Sequence, residues 1–146
     1  MTRLNMVVRV YACKLTLTHR RENMASLGDR VFDAGLSTLD TEANKITVTS
    51  QESTTFAEGN ATHALGNSTS LSFGAPADRS GGGREVTAAA ITDGSITASG
   101  TATHYAVLDT TNSRLLATGA LTASQSVTSG NTFNLASFAI GIPDPS

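Results

Sequence analysis

"GTATHYAVLDTTNSRLLATGALTASQSVTSGNTF", residues 100–133, decides the fold. Threonine, valine and small apolar residues recur along it, and polar turn-formers interrupt it at "TTN" and at Ser129-Gly130-Asn131. "ATHYAVLD" and "SRLLATGAL" therefore read as the two strands of a hairpin closed by "TTN". Alternation puts His104 on the face of Ala106 and Leu108. "SQSVT" then leads through the second turn into "TFNLASFAIGI", a closing strand that Pro143 and Pro145 terminate.

The same spacing extends upstream. "REVTAAAIT" and "SITASG" flank Asp93-Gly94, a dipeptide suited to a tight hairpin turn. "NKITVTSQE" alternates, with Ile46 and Val48 on one face and Lys45, Thr47 and Thr49 on the other, as a half-buried strand does. Between them, residues 52–83 form the longest irregular stretch. A brief strand is expected at Leu71–Phe73, and Pro76 and Gly81–Gly83 make the remainder a mobile loop or contact arm. "SLGDRVFDAGLSTL" (residues 26–39) has Leu27, Val31, Phe32, Gly35, Leu36 and Leu39 at helical spacing, with Ser26 as a cap. Its two glycines and two aspartates restrict it to one short helix or an irregular segment.

Strands recurring every eight to twelve residues or so predict an all-β fold. The expected architecture is a single antiparallel β-sandwich or jelly-roll-like domain over residues 24–146, with one short N-terminal helix. The predicted core comprises Ile96, Ala98, Ala106, Leu108, Leu115, Ala117, Leu121, Val127, Phe133, Leu135, Phe138 and Ile140.

Composition agrees. The 146 residues suffice for one domain, and 16 serines and 22 threonines suit strands and turns. With 5% aromatic residues the core is thin, a deficit that oligomerisation can offset. Charge is uneven. Residues 1–23 hold Arg3, Arg9, Lys14, Arg20 and Arg21 against Glu22, a balance of +4, while residues 24–146 carry five basic and eleven acidic groups, a balance of −6. Such an acidic body lacks the basic face that nucleic acid requires.

"MVVRVYACKLTLTHRREN" (residues 6–23) is broken by Arg9 and Lys14 and has no small-residue cleavage site, so it does not read as an export signal. It is too short and too charged to cross a membrane. "MASLGDRVFDAG" from Met24 reads instead as the natural start. Arg21-Glu22-Asn23 can be encoded by a purine-rich, ribosome-binding-like sequence, so residues 1–23 are expected to be a mis-read leader or a disordered extension. Cys13, the one cysteine, can form neither an intrachain disulfide nor a cysteine-cluster zinc site.

Candidate chemistry is sparse. His104 is the best base on offer, with Asp109 and Ser113 nearby in sequence, but a histidine packed at a sheet edge or subunit contact outweighs that reading. His63 stands in the long irregular stretch, and no histidine spacing suits a metal. Asp93 and Asp109 read as turn residues. "RSGGGREV" lacks the lysine and context of a phosphate loop, and "NAT" (60–62) and "NST" (67–69) match a glycosylation pattern by chance. Tyr105 is the body's one candidate for stacking on a base. No catalytic, cofactor-binding or metal-binding residue is expected, nor a cofactor, nucleic-acid partner or membrane.

The stretch from Ser70 to Ile142 resembles a group of small structural proteins of tailed bacteriophages. The features that carry the likeness are Thr103-His104, the apolar strand Tyr105–Asp109, Leu115–Ala117 with Gly119 and Leu121, and Val127 with Ser129–Thr132. "MASLGDRVFDAGLSTLDTEANKI" is similar to the opening of such proteins, so the likeness covers residues 24–142. It implies a non-enzymatic virion protein, first a capsid decoration or cement protein that binds the major capsid protein as a homo-oligomer. Its alternative is a tail-associated or fibre-base protein acting as a receptor- or carbohydrate-binding module. It implies no catalytic residues.

Overall fold

The computed structural model describes residues 27–144. The expectations for residues 1–23, the Met24 start, Cys13, the Ser26 cap and Pro145 lie outside the described residues. The chain is mostly β, with two antiparallel sheets and one helix near its start, as the strand spacing predicts.

Helix α1 spans Asp29–Glu42 and buries Phe32, Leu36 and Leu39, which recur at helical spacing along one face. Leu27 and Val31, expected on that same stripe, are instead half exposed. β1 (Lys45–Thr49) follows, then a π-helical turn at Glu58–Thr62, β2 (Ala64–Ser68), β3 (Ala77–Asp78), β4 (Arg84–Ala88), β5 (Ile91–Ile96), β6 (Gly100–Asp109), β7 (Arg114–Val127), β8 (Thr132–Leu135) and β9 (Phe138–Ile142). The large, curled sheet runs β7-β6-β1-β2-β5-β8 and the small one β3-β4-β9, so the large sheet is a half-barrel.

Register fixes which side chains face inward. Ile46 lies opposite Val107 and Val48 opposite Tyr105; Ile46, Val107 and Tyr105 pack with α1 and the small sheet, while Val48 packs with Leu65, Ile96 and Ala102. Thr47 and Thr49 oppose Ala106 and His104 on the outer face. There the π-helical turn covers the sheet: Thr47 Oγ1 donates to the Gly59 carbonyl at 2.8 Å, and a Cβ on Gly59 would meet Ala106 at 3.1 Å and Leu108 at 3.2 Å. Only glycine lets that turn lie so close.

The β6–β7 hairpin forms as expected, with Thr110–Ser113 as its turn. Asp93-Gly94, by contrast, is no turn. Both residues lie inside β5, where pairing with β8 shifts register between Ile91 and Gly94. Asp93 accepts from the hydroxyls of Ser68 and Ser70 instead of closing a turn on itself, and a Cβ on Gly94 would collide with the Phe133 ring. The dipeptide serves a bulge that seats an aromatic ring.

Two further strand expectations divide. "REVTAAAIT" splits at Ala89-Ala90, and "TFNLASFAIGI" splits at Ala136-Ser137; at each point the chain leaves one sheet for the other. Small residues permit such corners. Nor is 52–83 a single loop. It contains the π-helical turn, β3 and the internal strand β2, while Leu71–Phe73 is reduced to one bridge from Phe73 to Ala88. "ALGNS" has little strand character of its own, and pairing with β1 and β5 overrides it. The core accordingly sits upstream of its expected centre. Ile96, Ala106 and Leu108 are buried as predicted, joined by Ile46, Val48, Leu65, Val86, Ile91 and Val107. Ala98 is exposed, and Leu115, Leu121, Val127 and Phe133 are only half buried, because β7 and β8 are the edges of the sheet.

Candidate functional site

The most distinctive surface feature arises from a count mismatch. His104 pairs with Ala120, but Ala102 pairs with Gln125, so Thr103 alone opposes the four residues Leu121–Ser124. The surplus cannot stay in the ladder, and β7 arches away there. Beneath the arch lies an open cavity of about 250 Å³, lined by Val48, Ala102, Leu121, Val127, Phe133 and Leu135, with Thr122, Gln125 and Asn134 adding polar groups. A shallower depression of about 100 Å³ adjoins it between Tyr105, Ala120, Leu121 and Phe138. The Tyr105 and Phe138 rings lie 4.5 Å apart and tilted by 46°. Burial pushes the Tyr105 phenol upward, so it stays protonated at neutral pH.

Both free edges of the half-barrel, β7 and β8, line this cavity. It holds no acid, base or nucleophile, and its chemistry is that of an apolar recess with amide and hydroxyl groups beside it.

The residues singled out for chemistry lie elsewhere and apart. His104 sits on the outer face opposite Thr49, its Nδ1 2.8 Å from Thr103 Oγ1. Asp109 is five positions further along β6, about 17 Å at roughly 3.4 Å per residue. Its carboxylate accepts from the Asn112 side chain at 2.7 Å and from the backbone N–H groups of Thr111 and Asn112 at 2.9 and 3.1 Å. Those bonds, the Asn112 side chain first, hold its carboxyl below the usual range, with help from Arg114, although burial opposes them. Ser113 is a turn residue with φ 56°. Both aspartates are thus structural, Asp109 in a turn and Asp93 in a bulge.

His63 and Ser53 flank the π-helical turn. His63 Nε2 lies 2.6 Å from Gln51 Nε2, while His63 Nδ1 and Ser53 Oγ are buried without a partner. Glu58 receives the N–H and hydroxyl of Thr54 and the N–H of Thr55, which lower its carboxyl. Asn60 of the "NAT" triplet accepts from Lys45 Nζ at 2.9 Å, and Asn67 of "NST" is paired within β2. Gly81–Gly83, with φ between 92° and 99°, form the turn from β3 to β4. Arg84 ties Asp33 of α1 to Asp78 of β3 and the Pro76 carbonyl. Among the described residues no cluster of three or more His, Cys, Asp or Glu side chains could hold a metal, and no helix is long and apolar enough to cross a membrane.

Sequence reasoning missed the arch. Its one signal is the polar run "TASQS", where strand alternation lapses. Comparison with protein-family models, curated proteins and solved structures found no match.

Proposed function

We propose that this chain is a non-enzymatic structural protein of a tailed-phage virion, seated on the head lattice as a decoration protein and bound to the major capsid protein. The observation that carries the reading is where the motif residues fall. Asp109 holds the β6–β7 turn, Gly119 lies under the Tyr105 ring, and Leu116 and Ala117 pack on the core. The residues that carry the likeness to phage proteins are thus residues that specify a hairpin. A compact sandwich whose polar groups are spent on turns suits a part that acts by contact.

Quantitative mass spectrometry of purified particles of the encoding phage tests this. Abundance comparable to the major capsid protein is the expected result. A few copies per particle would place the chain on the tail or neck, and absence from clean particles would overturn the virion reading. The cavity under the arch favours a second reading, the tail-associated receptor- or carbohydrate-binding module. Glycan-array binding that disappears in Gln125→Ala would support it.

A further inference from the structure

From Leu115 to Pro143 the chain has 29 consecutive residues without Asp, Glu, Lys, Arg or His. This run builds β7, β8 and β9, which supply three of the four free sheet edges among the described residues. Residues 27–114 contain five basic and ten acidic groups, so the charge lies on the rest of the molecule and is net negative.

A free edge offers unpaired N–H and C=O groups, and proteins ordinarily blunt it with lysine, proline or brevity. β7 has none of these over Leu115–Val127, and it is 14 residues long against four for β8 and five for β9. Its arch and a one-residue bulge at Leu116 interrupt it.

We propose that the outer edge of β7 is a self-association surface, where a second copy of this chain docks its own β7 antiparallel about a two-fold axis. Three considerations select a second copy. An acidic body repels its own copy everywhere except across an uncharged face, and a copy meets that face with an equally uncharged one. Antiparallel pairing of identical strands is self-complementary, as a two-fold interface requires. The edge is also of a size for a weak contact. Without the four arched residues, β7 runs the ten-residue length of β6, about 33 Å at about 3.3 Å per residue, and a strip about 10 Å tall gives roughly 330 Å² per copy. The pair then buries about 660 Å², the scale of a weak, transient contact. This inference is independent of the virion reading.

Sedimentation equilibrium of the full chain from about 5 to 200 µM, with hydrogen exchange at both ends of that range, is the test. Expected are a mass approaching twice the 15.0 kDa of one chain and β7 amides that gain protection as concentration rises. Ala120→Lys with Ser124→Lys, both at exposed positions, weakens association at least about tenfold. The two lysines move the net charge toward zero, so general repulsion cannot cause that loss. Ala75→Lys with Ser80→Lys, the same charge change away from β7, leaves the dimer intact. An unchanged circular dichroism spectrum shows that each variant is folded. The proposal is overturned by a monomer throughout, including one whose β7 amides are already protected by another segment of the chain. It is also overturned by a dimer indifferent to the edge lysines, or by equal loss in the control pair.

Discussion

Asp109 is buried, yet its carboxyl is easier to ionise than a free one, because three N–H donors converge on the anion. Asp93 and Glu58 are lowered by the same means, with serine hydroxyls and threonine groups as donors. A carboxyl lowered in the folded state contributes stability that is complete above its unfolded value, about 3.9 for aspartate, and is lost as pH falls through the lowered folded value. Thermal unfolding followed from pH 7 to pH 2 should therefore show a plateau down to about pH 5 and a decline below it. Asp109→Asn should lower the plateau and flatten that decline, because the carboxylate that titrates is gone. Gly94 poses a steric question of the same size. Gly94→Ala forces a methyl into the Phe133 ring, and overpacking of this kind costs about 1–3 kcal/mol in urea unfolding. Asp93-Gly94 also shows a limit of sequence reading. Its turn chemistry is real, but a dipeptide that tolerates a turn equally tolerates a bulge, and only the position of Phe133 decides between them.

Among the elements, legibility followed local pattern. The β6–β7 hairpin and the strand character of β1 could be read because alternation and turn residues point the same way, but β1 is not half-buried as its alternation predicts, since Thr47 and Thr49 are fully buried too. α1 could be read as to its buried face, from Phe32, Leu36 and Leu39, though it runs to 14 residues in spite of Gly35. β2 could not be read, since "ALGNS" becomes a strand only between β1 and β5. Its energetic weight is nonetheless that of an internal strand. Leu65 is buried against Val48, Ile96 and Ala102, so Leu65→Ala should cost about 2–5 kcal/mol, whereas Leu115→Ala on the edge strand should cost less than half as much. Paired urea titrations check the ordering. Equal losses would mean that β7 is covered in solution, which is also what the two-fold pairing of β7 requires at high protein concentration.

At the scale of the whole molecule, a six-stranded sheet curls but does not close, and the arch of β7 leaves the gap lined with apolar groups. Neither property is local: the arch depends on the pairing of Ala102 and His104 with residues that stand five apart on the neighbouring strand, Gln125 and Ala120. The charge-free run Leu115–Pro143 is visible in the sequence, yet it gains meaning only when the fold gathers three free edges from it. The open gap makes a further prediction. Ala102 is buried and lines the cavity, so Ala102→Val adds two carbons at the cavity wall on a strand that favours β-branched residues. At about 0.8 kcal/mol per buried carbon the upper limit is roughly 1.6 kcal/mol, and a gain near 1 kcal/mol is expected after rotamer loss. Chemical denaturation at low protein concentration, where copies are separate, measures it. A loss of stability would mean that the neighbouring side chains already fill the gap in solution, and that the half-barrel is closed more tightly than its β7 and β8 edges indicate.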